Sequence, residues 1–158
     1  MLSATARQNF ETSKYYSVFL VGTDANLENL IVKDNIDSLS VNGKAYVRYI
    51  NAIPDASSSH VIIASGGSNA VNENASFKAV SEFVQIDPGQ VSVSVNNGGT
   101  INASRTITLE KNVVYTVLLI GTPGGTGDKA VQVKYIANGV IESDAARMGK
   151  AASNQAVK

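Results

Sequence analysis

The side chains most often used in catalysis are scarce in this chain, and one stretch holds most of them. The run Ser57-Ser58-Ser59-His60 places three hydroxyls beside the only histidine. A hydrolase needs a nucleophile, a base and a third group that orients the base, all facing one another. Neighbours along a strand point to opposite faces, so residues this close cannot assemble a triad. A single histidine also excludes a two-histidine metal site.

Acidic side chains offer a second route, the paired carboxylates that cleave sugars. Most of them lie in turn or loop contexts, where an acid is solvated or caps backbone amides. We therefore predict no enzyme, no metal and no cofactor, with a hydrolase as the remote alternative. The carboxylates considered are Asp55, Glu73, Glu82, Asp87, Glu110 and Asp128.

Tyrosines give the best indication of binding. Tyr46 and Arg48 share one face of a predicted strand, and Tyr49 lies on the opposite face. One face must be core, so we expect one tyrosine to reach the surface, where a ring beside arginine can stack on a sugar or a peptide. We predict a binding surface formed by Tyr46, Arg48, Tyr49 and Asp128. The alternative interpretation is ordinary core tyrosines with hydroxyls at the rim.

The glycine-rich run 121–129 is superficially similar to a phosphate-binding loop. Such a loop needs lysine directly after glycine and must open a helix. Here Asp128 precedes Lys129 and a strand follows, so the extra carboxylate would repel a phosphate. We interpret the run as a hairpin loop.

Composition excludes several classes of partner. The 158 residues carry 13 basic and 13 acidic side chains, so no net field attracts nucleic acid or an anionic membrane. Cysteine is absent, which excludes disulfides and thiol chemistry. No apolar run reaches the roughly 20 residues of a membrane helix. The first residues lack the apolar core of a secretion signal, so we expect either a retained protein or a trimmed segment of an exported one.

An internal repeat organises the chain. Tyr16, Val18, Leu20 and Gly22 recur 99 positions later as Tyr115, Val117, Leu119 and Gly121. These identities alternate, so they belong to one face of a strand. Flanking matches extend the relation, and residues 30–33 resemble residues 131–134. We predict that residues 3–36 form three strands that repeat residues 102–137.

The remaining pattern predicts an all-β fold. Short apolar strands separated by turn residues indicate an antiparallel immunoglobulin-like β-sandwich of about seven strands, with residues 65–76 as a loop. We divide the chain into a partial repeat (1–36), a linker (37–43), a complete sandwich (44–141) and a flexible tail (142–158). Predicted core positions are Val91, Val93, Val95, Ile107, Leu109, Val117 and Leu119.

Three segments of the complete copy resemble a known family. Residues 45–56 (AYVRYINAIPDA) resemble the opening R-V-x-N-A-S-P-D-A of the bacterial domain of unknown function 4397 (DUF4397). Residues 86–95 (IDPGQVSVSV) resemble its V-P-A-G-x-Y-x-V stretch, and residues 109–121 (LEKNVVYTVLLIG) its L-x-A-G-x-x-Y-T-V-x-x-x-G close. Ile53 departs from the usual serine. The resemblance implies a β-sandwich, tandem copies and an exported or lipid-anchored envelope protein, and it implies no activity.

The N-terminal strands point to assembly. Alone they would leave an apolar face and open edges exposed, which template further pairing. Missing upstream residues, packing beside the complete domain, or another chain would cover them. We predict a structural or interaction module of the bacterial cell surface that self-associates, as in a fibre completed by strand addition. The alternative is a glycan- or peptide-binding module that uses loops 65–78 and 122–129.

Overall fold

The fold is built almost entirely from strands. The structure, a computed structural model, describes residues 4–143. Two short 3-10 turns, Ile36–Ser38 and Gly127–Lys129, interrupt the strands. The ten strands are β1 (Tyr15–Thr23), β2 (Asn26–Asp34), β3 (Ala45–Asn51), β4 (Ser59–Ser65), β5 (Ser68–Ala75), β6 (Val84–Ile86), β7 (Gly89–Asn96), β8 (Asn102–Leu109), β9 (Val113–Ile120) and β10 (Gln132–Val140).

Strands β3 to β10 form two four-stranded sheets. Sheet I has the order β10-β9-β3-β6, and sheet II has the order β5-β4-β7-β8. Neighbouring strands are antiparallel except β3 and β9, which run parallel with Tyr46 opposite Val114. Strands β1 and β2 form a separate antiparallel hairpin, hereafter the hairpin.

The core lies between the two sheets and follows the alternation of the strands. In β7, Val91, Val93 and Val95 are buried while Ser92 is exposed. The β9 residues Val117 and Leu119 meet them from sheet I as members of the same cluster. All seven predicted core positions are buried, which confirms the assignment of inside and outside.

The immunoglobulin fold, the finer part of the prediction, is not confirmed. That fold packs strands ABED against CFG, seven in all. Here two sheets of four pack together, and β4 is flanked by β5 and β7. Sequence spacing indicates strands and turns but does not fix which strands pair, because pairing order is decided by long-range contacts.

The predicted loop at residues 65–76 is instead the strand β5. Gly66 and Gly67 both have positive φ and make the tight turn from β4 into β5. Only Val71 and Ala75 of this strand are buried, and all its other residues except the part-buried Ala70 are polar. Backbone pairing with β4 therefore holds a strand that has almost no apolar alternation.

Two strands, not three, precede the complete copy in the described residues. In that copy β8 pairs with β7. Residues 4–10, which correspond to residues 103–109 in β8, form no strand. The match of residues 30–33 to 131–134 is also out of register: Ile31 faces Val18 as Tyr135 faces Val117.

The hairpin otherwise repeats β9 and β10 in detail. The Glu11 amide donates to the Tyr16 hydroxyl at 3.1 Å, and the Glu110 amide donates to the Tyr115 hydroxyl at 3.0 Å. Each is a tyrosine corner, which ties a strand to the chain before it. Gly22 and Gly121 both have strongly positive φ, and a Cβ atom on Gly22 would lie 2.1 Å from the Asn26 carbonyl oxygen. The repeat is thus structural as well as sequential.

Strand β3 is covered on both faces. Its seven residues are all buried, although only alternate ones can face the core. On the outer side, Ile36 and Leu39 pack against Tyr46 and Val114. The domain boundaries themselves stay a prediction, and most of the predicted tail, residues 144–158, lies outside the described residues.

Candidate functional site

The predicted tyrosine surface does not form. Tyr46 is 3% exposed, Arg48 2% and Tyr49 3%, so none of the three can stack on a ligand. The Tyr46 hydroxyl donates to the Ser40 carbonyl at 2.8 Å. The Tyr49 hydroxyl donates to the Glu73 carboxylate at 2.7 Å, and burial together with this bond raises the pKa of Tyr49. Both hydroxyls serve the fold.

Arg48 is the centre of a buried ionic cluster between the hairpin and sheet I. Its guanidinium pairs with Asp34 at the end of β2, and both side chains are nearly inaccessible. Its Nε donates to the Thr116 hydroxyl at 3.0 Å, and the guanidinium lies 4.5 Å from the centre of the Phe83 ring. The Ser17 hydroxyl donates to Asp34 at 2.6 Å. Ser17 and Thr116 are equivalent positions of the repeat.

The residues considered for hydrolysis do not assemble. Ser57 donates to Asp55, and this bond holds the pKa of the Asp55 carboxyl below its usual range. Ser59 is buried, whereas His60 is exposed and contacts the Asn74 amide oxygen at 3.0 Å. Among the described residues, no three side chains of histidine, aspartate or glutamate lie close enough to hold a metal ion.

Asp128 alone of the four predicted residues is exposed. It borders an open cleft of about 870 Å³ between the hairpin tip and the β9–β10 loop. Lys129 and Asp24 approach to 3.6 Å across the two segments, and both are largely solvated. No aromatic ring lines the cleft, so it lacks the stacking surface expected for a sugar. A role for Asp128 in binding stays a prediction.

The hairpin presents the most unusual surface of the described chain. Tyr115, Val117 and Leu119 face the core of the sandwich. Their equivalents face away from it: Val18 is 59% exposed and Leu20 is 62% exposed. The opposite face carries Val21, which is buried. The hairpin has therefore turned over, so that the repeat's core face points to solvent.

We call this exposed side the hairpin face. It consists of Tyr16, Val18 and Leu20 from β1 with their cross-strand partners Lys33, Ile31 and Asn29 from β2. Phe10 packs edge-on against Tyr16, with ring centres 4.8 Å apart, and extends the apolar area. The Lys33 ammonium pairs with the Glu11 carboxylate at 2.6 Å, at the edge of the hairpin face.

The hairpin edges are open as well. Among the described residues, β1 pairs only with β2 and no other strand joins their sheet. Unpaired strand edges expose backbone donors and acceptors to any further strand. Reasoning from sequence identified this exposed face through the repeat. It missed the Arg48–Asp34 pair, because no local pattern connects the two residues.

Comparison with known proteins adds one match. The model of a family described as a domain of unknown function (DUF4397) matches residues 45–148. The matched stretch begins at β3, so the hairpin lies before it. No curated protein matches the chain. Within residues 4–143, no helix has the length and hydrophobicity needed to cross a membrane.

Proposed function

Because the chain belongs to the DUF4397 family, and because its hairpin turns an apolar face to solvent, we propose that it is a non-enzymatic interaction module that self-associates through this face. The carrying observation is the exposure of Val18 and Leu20, the equivalents of buried Val117 and Leu119. Burial of an aliphatic side chain is worth about 1.5–3 kcal/mol, so covering the face is favourable.

A second copy of the chain is the occupant we infer. Its own hairpin presents the same apolar side chains, and a two-fold contact requires only that a surface be complementary to itself. The fibre predicted from sequence needs a second, different surface to receive the hairpin, because a head-to-tail contact joins two unlike surfaces.

The size of the hairpin sets the expected affinity. Strands of nine residues span about 30 Å, and two strands cover roughly 300 Å² of one face. An interface of about 600 Å² in total is small for a stable complex. We therefore expect a weak dimer, with a dissociation constant in the micromolar range, that becomes significant where the protein is concentrated.

The paired change Val18→Thr with Leu20→Thr tests the contact. Threonine keeps the strand preference but adds a hydroxyl that is costly to bury, so we expect dimerisation to weaken at least tenfold. Sedimentation velocity over a concentration series measures the change. The control is Val140→Thr, which alters a 66% exposed strand residue outside the hairpin and should leave association unchanged. A wild-type chain that stays monomeric throughout contradicts the proposal, and species that grow with concentration favour the fibre.

We further propose that the module acts in the bacterial envelope, outside the cytoplasm, without chemistry of its own. The family resemblance supports the location. The absence of catalysis is supported by the separate surroundings of the three candidate side chains: Ser57 bonds to Asp55, Ser59 is buried, and His60 is exposed. Cell fractionation with an antibody tests the first point. For the second, we expect no stoichiometric metal by elemental analysis and no hydrolysis of ester, phosphate or glycoside substrates. A bound transition metal or any such turnover would overturn it.

A further inference from the structure

The open edge of β1 is the place where the repeat itself shows which kind of strand fits. In the complete copy, β9 pairs with β10 on one side and with β3, in parallel, on the other. Its equivalent β1 pairs with β2, and within residues 4–143 no strand joins the other edge. This edge of β1 therefore corresponds to the edge of β9 that holds β3.

The two copies are stacked with their tips at the same end. Val21 and its equivalent Ile120 line the same cleft, and so do Gly22 and its equivalent Gly121. Equivalent residues lie close to one another in this way when two copies are related by a two-fold axis between them. The hairpin and the β9–β10 pair are therefore related by an approximate two-fold axis that runs along the strands.

The outer sides of the two copies are not equally covered. Ser17 pairs with Val32 in the hairpin, and the equivalent Thr116 pairs with Ile136. Val32 is 9% exposed and lines a small cleft together with Arg48 of β3. Ile136 is 40% exposed. Strand β3 thus helps to cover the outer side of the hairpin, and the two-fold relation places a strand beside β1 over the outer side of β10.

The buried ionic cluster indicates what that strand would carry. The Ser17 hydroxyl donates to Asp34 at 2.6 Å, and the Thr116 hydroxyl donates to Asn138 at the same distance. Arg48 joins the copies, because its Nε donates to Thr116 and its guanidinium pairs with Asp34. By the two-fold relation, an arginine on a strand beside β1 meets the Ser17 hydroxyl and the Asn138 amide.

We propose that the edge of β1 receives a parallel strand of the β3 type from a partner protein. The partner's segment has the pattern of residues 45–51 (AYVRYIN), with aromatic and aliphatic side chains around one arginine. When a strand is added to an open sheet edge, backbone hydrogen bonds give affinity and alternate side chains give specificity. Strand β3 of a second copy does not serve, because it is buried along its whole length between β9 and β6. The site is separate from the hairpin face and does not depend on self-association.

A fluorescent peptide of residues 44–54, the chain's own β3 sequence, tests the proposal with the full chain. We expect saturable binding in fluorescence anisotropy, and no binding by a peptide with the same residues in scrambled order. In the complete copy, Tyr46 lies opposite Val114 and Asn51 lies opposite Leu119. The bound peptide should therefore set its Tyr46 opposite Tyr15 and its Asn51 opposite Leu20.

Disulfide cross-linking under air measures this register, because the chain has no cysteine of its own. Tyr15→Cys in the chain should cross-link to Tyr46→Cys in the peptide and not to Asn51→Cys. Leu20→Cys should show the reverse preference. Neighbouring strands are about 4.8 Å apart, within the reach of a disulfide. Both chain positions are more than half exposed, so the replacements should keep the fold. The opposite combination of cross-links would mean antiparallel addition and overturn the proposal.

A carboxylate in place of the Asn138 amide should strengthen binding. In Asn138→Asp, the peptide's arginine gains the kind of charged partner that Asp34 gives to Arg48, so we expect affinity to rise about tenfold. The peptide with Arg48→Ala should show no such gain. Asn102→Asp, at an exposed position of β8, is the matched control. Equal affinities for the two chain variants would contradict the placement of the arginine over β10, and with it the proposal.

Two further outcomes would overturn the proposal. Failure of the β3 peptide to bind removes the site. A peptide that converts dimers of the chain into monomers would show that a second copy, rather than a partner protein, uses this edge. Sedimentation velocity without peptide tests self-association through the hairpin face separately, so the failure of one proposal does not decide the other.

Discussion

Replacing Asp34 with alanine is expected to lower the free energy of unfolding by about 3–5 kcal/mol. Asp34 is the anionic partner of Arg48, and both side chains are almost completely buried. Without it, the guanidinium stays in the interior with only the Thr116 hydroxyl and the Phe83 ring to compensate its charge. Urea unfolding followed by circular dichroism measures the loss.

A surface ion pair three residues away provides the control. Lys14 and Asp37 approach to 3.4 Å, with side chains 40% and 49% exposed. Exposed pairs of this kind contribute about 0–1 kcal/mol, so Asp37→Ala should change stability little. Similar losses for the two variants would mean that Arg48 reaches solvent once the hairpin moves.

A double replacement separates the pair from the packing around it. With Asp34→Leu and Arg48→Met together, no buried charge is left unpaired. Buried ion pairs replaced by apolar residues of similar volume are often neutral or stabilising. We therefore expect the double variant to recover most of the stability that Asp34→Ala loses. Failure to recover would show that the Ser17 hydroxyl, which loses its acceptor Asp34, carries the cost, since the Thr116 hydroxyl still donates to Asn138.

Leu119→Ala is expected to cost about 2–5 kcal/mol, because it removes a fully buried side chain at the centre of the sandwich. Ser94→Ala, on the outer side of β7, should cost less than about 0.5 kcal/mol. Urea midpoints of the two variants compare them directly. Comparable midpoints for the two variants would contradict the assignment of Leu119 to the core and of Ser94 to the outer surface.

Equivalent positions make a second comparison available. Leu20 occupies the place of Leu119 in the repeat but is exposed. Leu20→Ala should therefore leave the midpoint of the monomer nearly unchanged. The same leucine in the same local sequence is then structural in one copy and free for an intermolecular contact in the other.

The sequence was sufficient for the features that depend on alternation. The core of β7 could be predicted because its apolar residues recur at every second position. The core face of β9 and the strand character of residues 15–23 could be predicted because the identities of the repeat fall on alternate positions. Strand β5 could not, because its polar side chains conceal a strand held by backbone bonds. An alternating apolar pattern arises where one face of a strand is buried. Because only two residues of β5 are buried, the strand shows no such pattern.

The candidate site shows a different limit. Tyr46, Arg48 and Tyr49 alternate, and alternation indicates that they occupy two faces without showing which face is covered. The answer depends on residues far along the chain: the hairpin, which brings Asp34 to Arg48, and β5, which brings Glu73 to Tyr49. Such long-range packing leaves no trace in the spacing of residues 45–51.

The parallel pairing of β3 with β9 affects how the chain reaches its fold. Strand β3 must wait for β9, more than sixty residues later, whereas β4 with β5 and β7 with β8 close locally. During synthesis β1 emerges long before β9 and carries the same Tyr-x-Val-x-Leu-x-Gly pattern. It is thus a kinetic competitor for the edge of β3, a form of misassembly characteristic of repeats. Early pairing of β1 with β2 occupies one edge of this competitor, and the bond from Ser17 to Asp34 favours that outcome. Formation of the hairpin therefore limits the mispairing of β1 with β3 that the repeated sequence would otherwise allow.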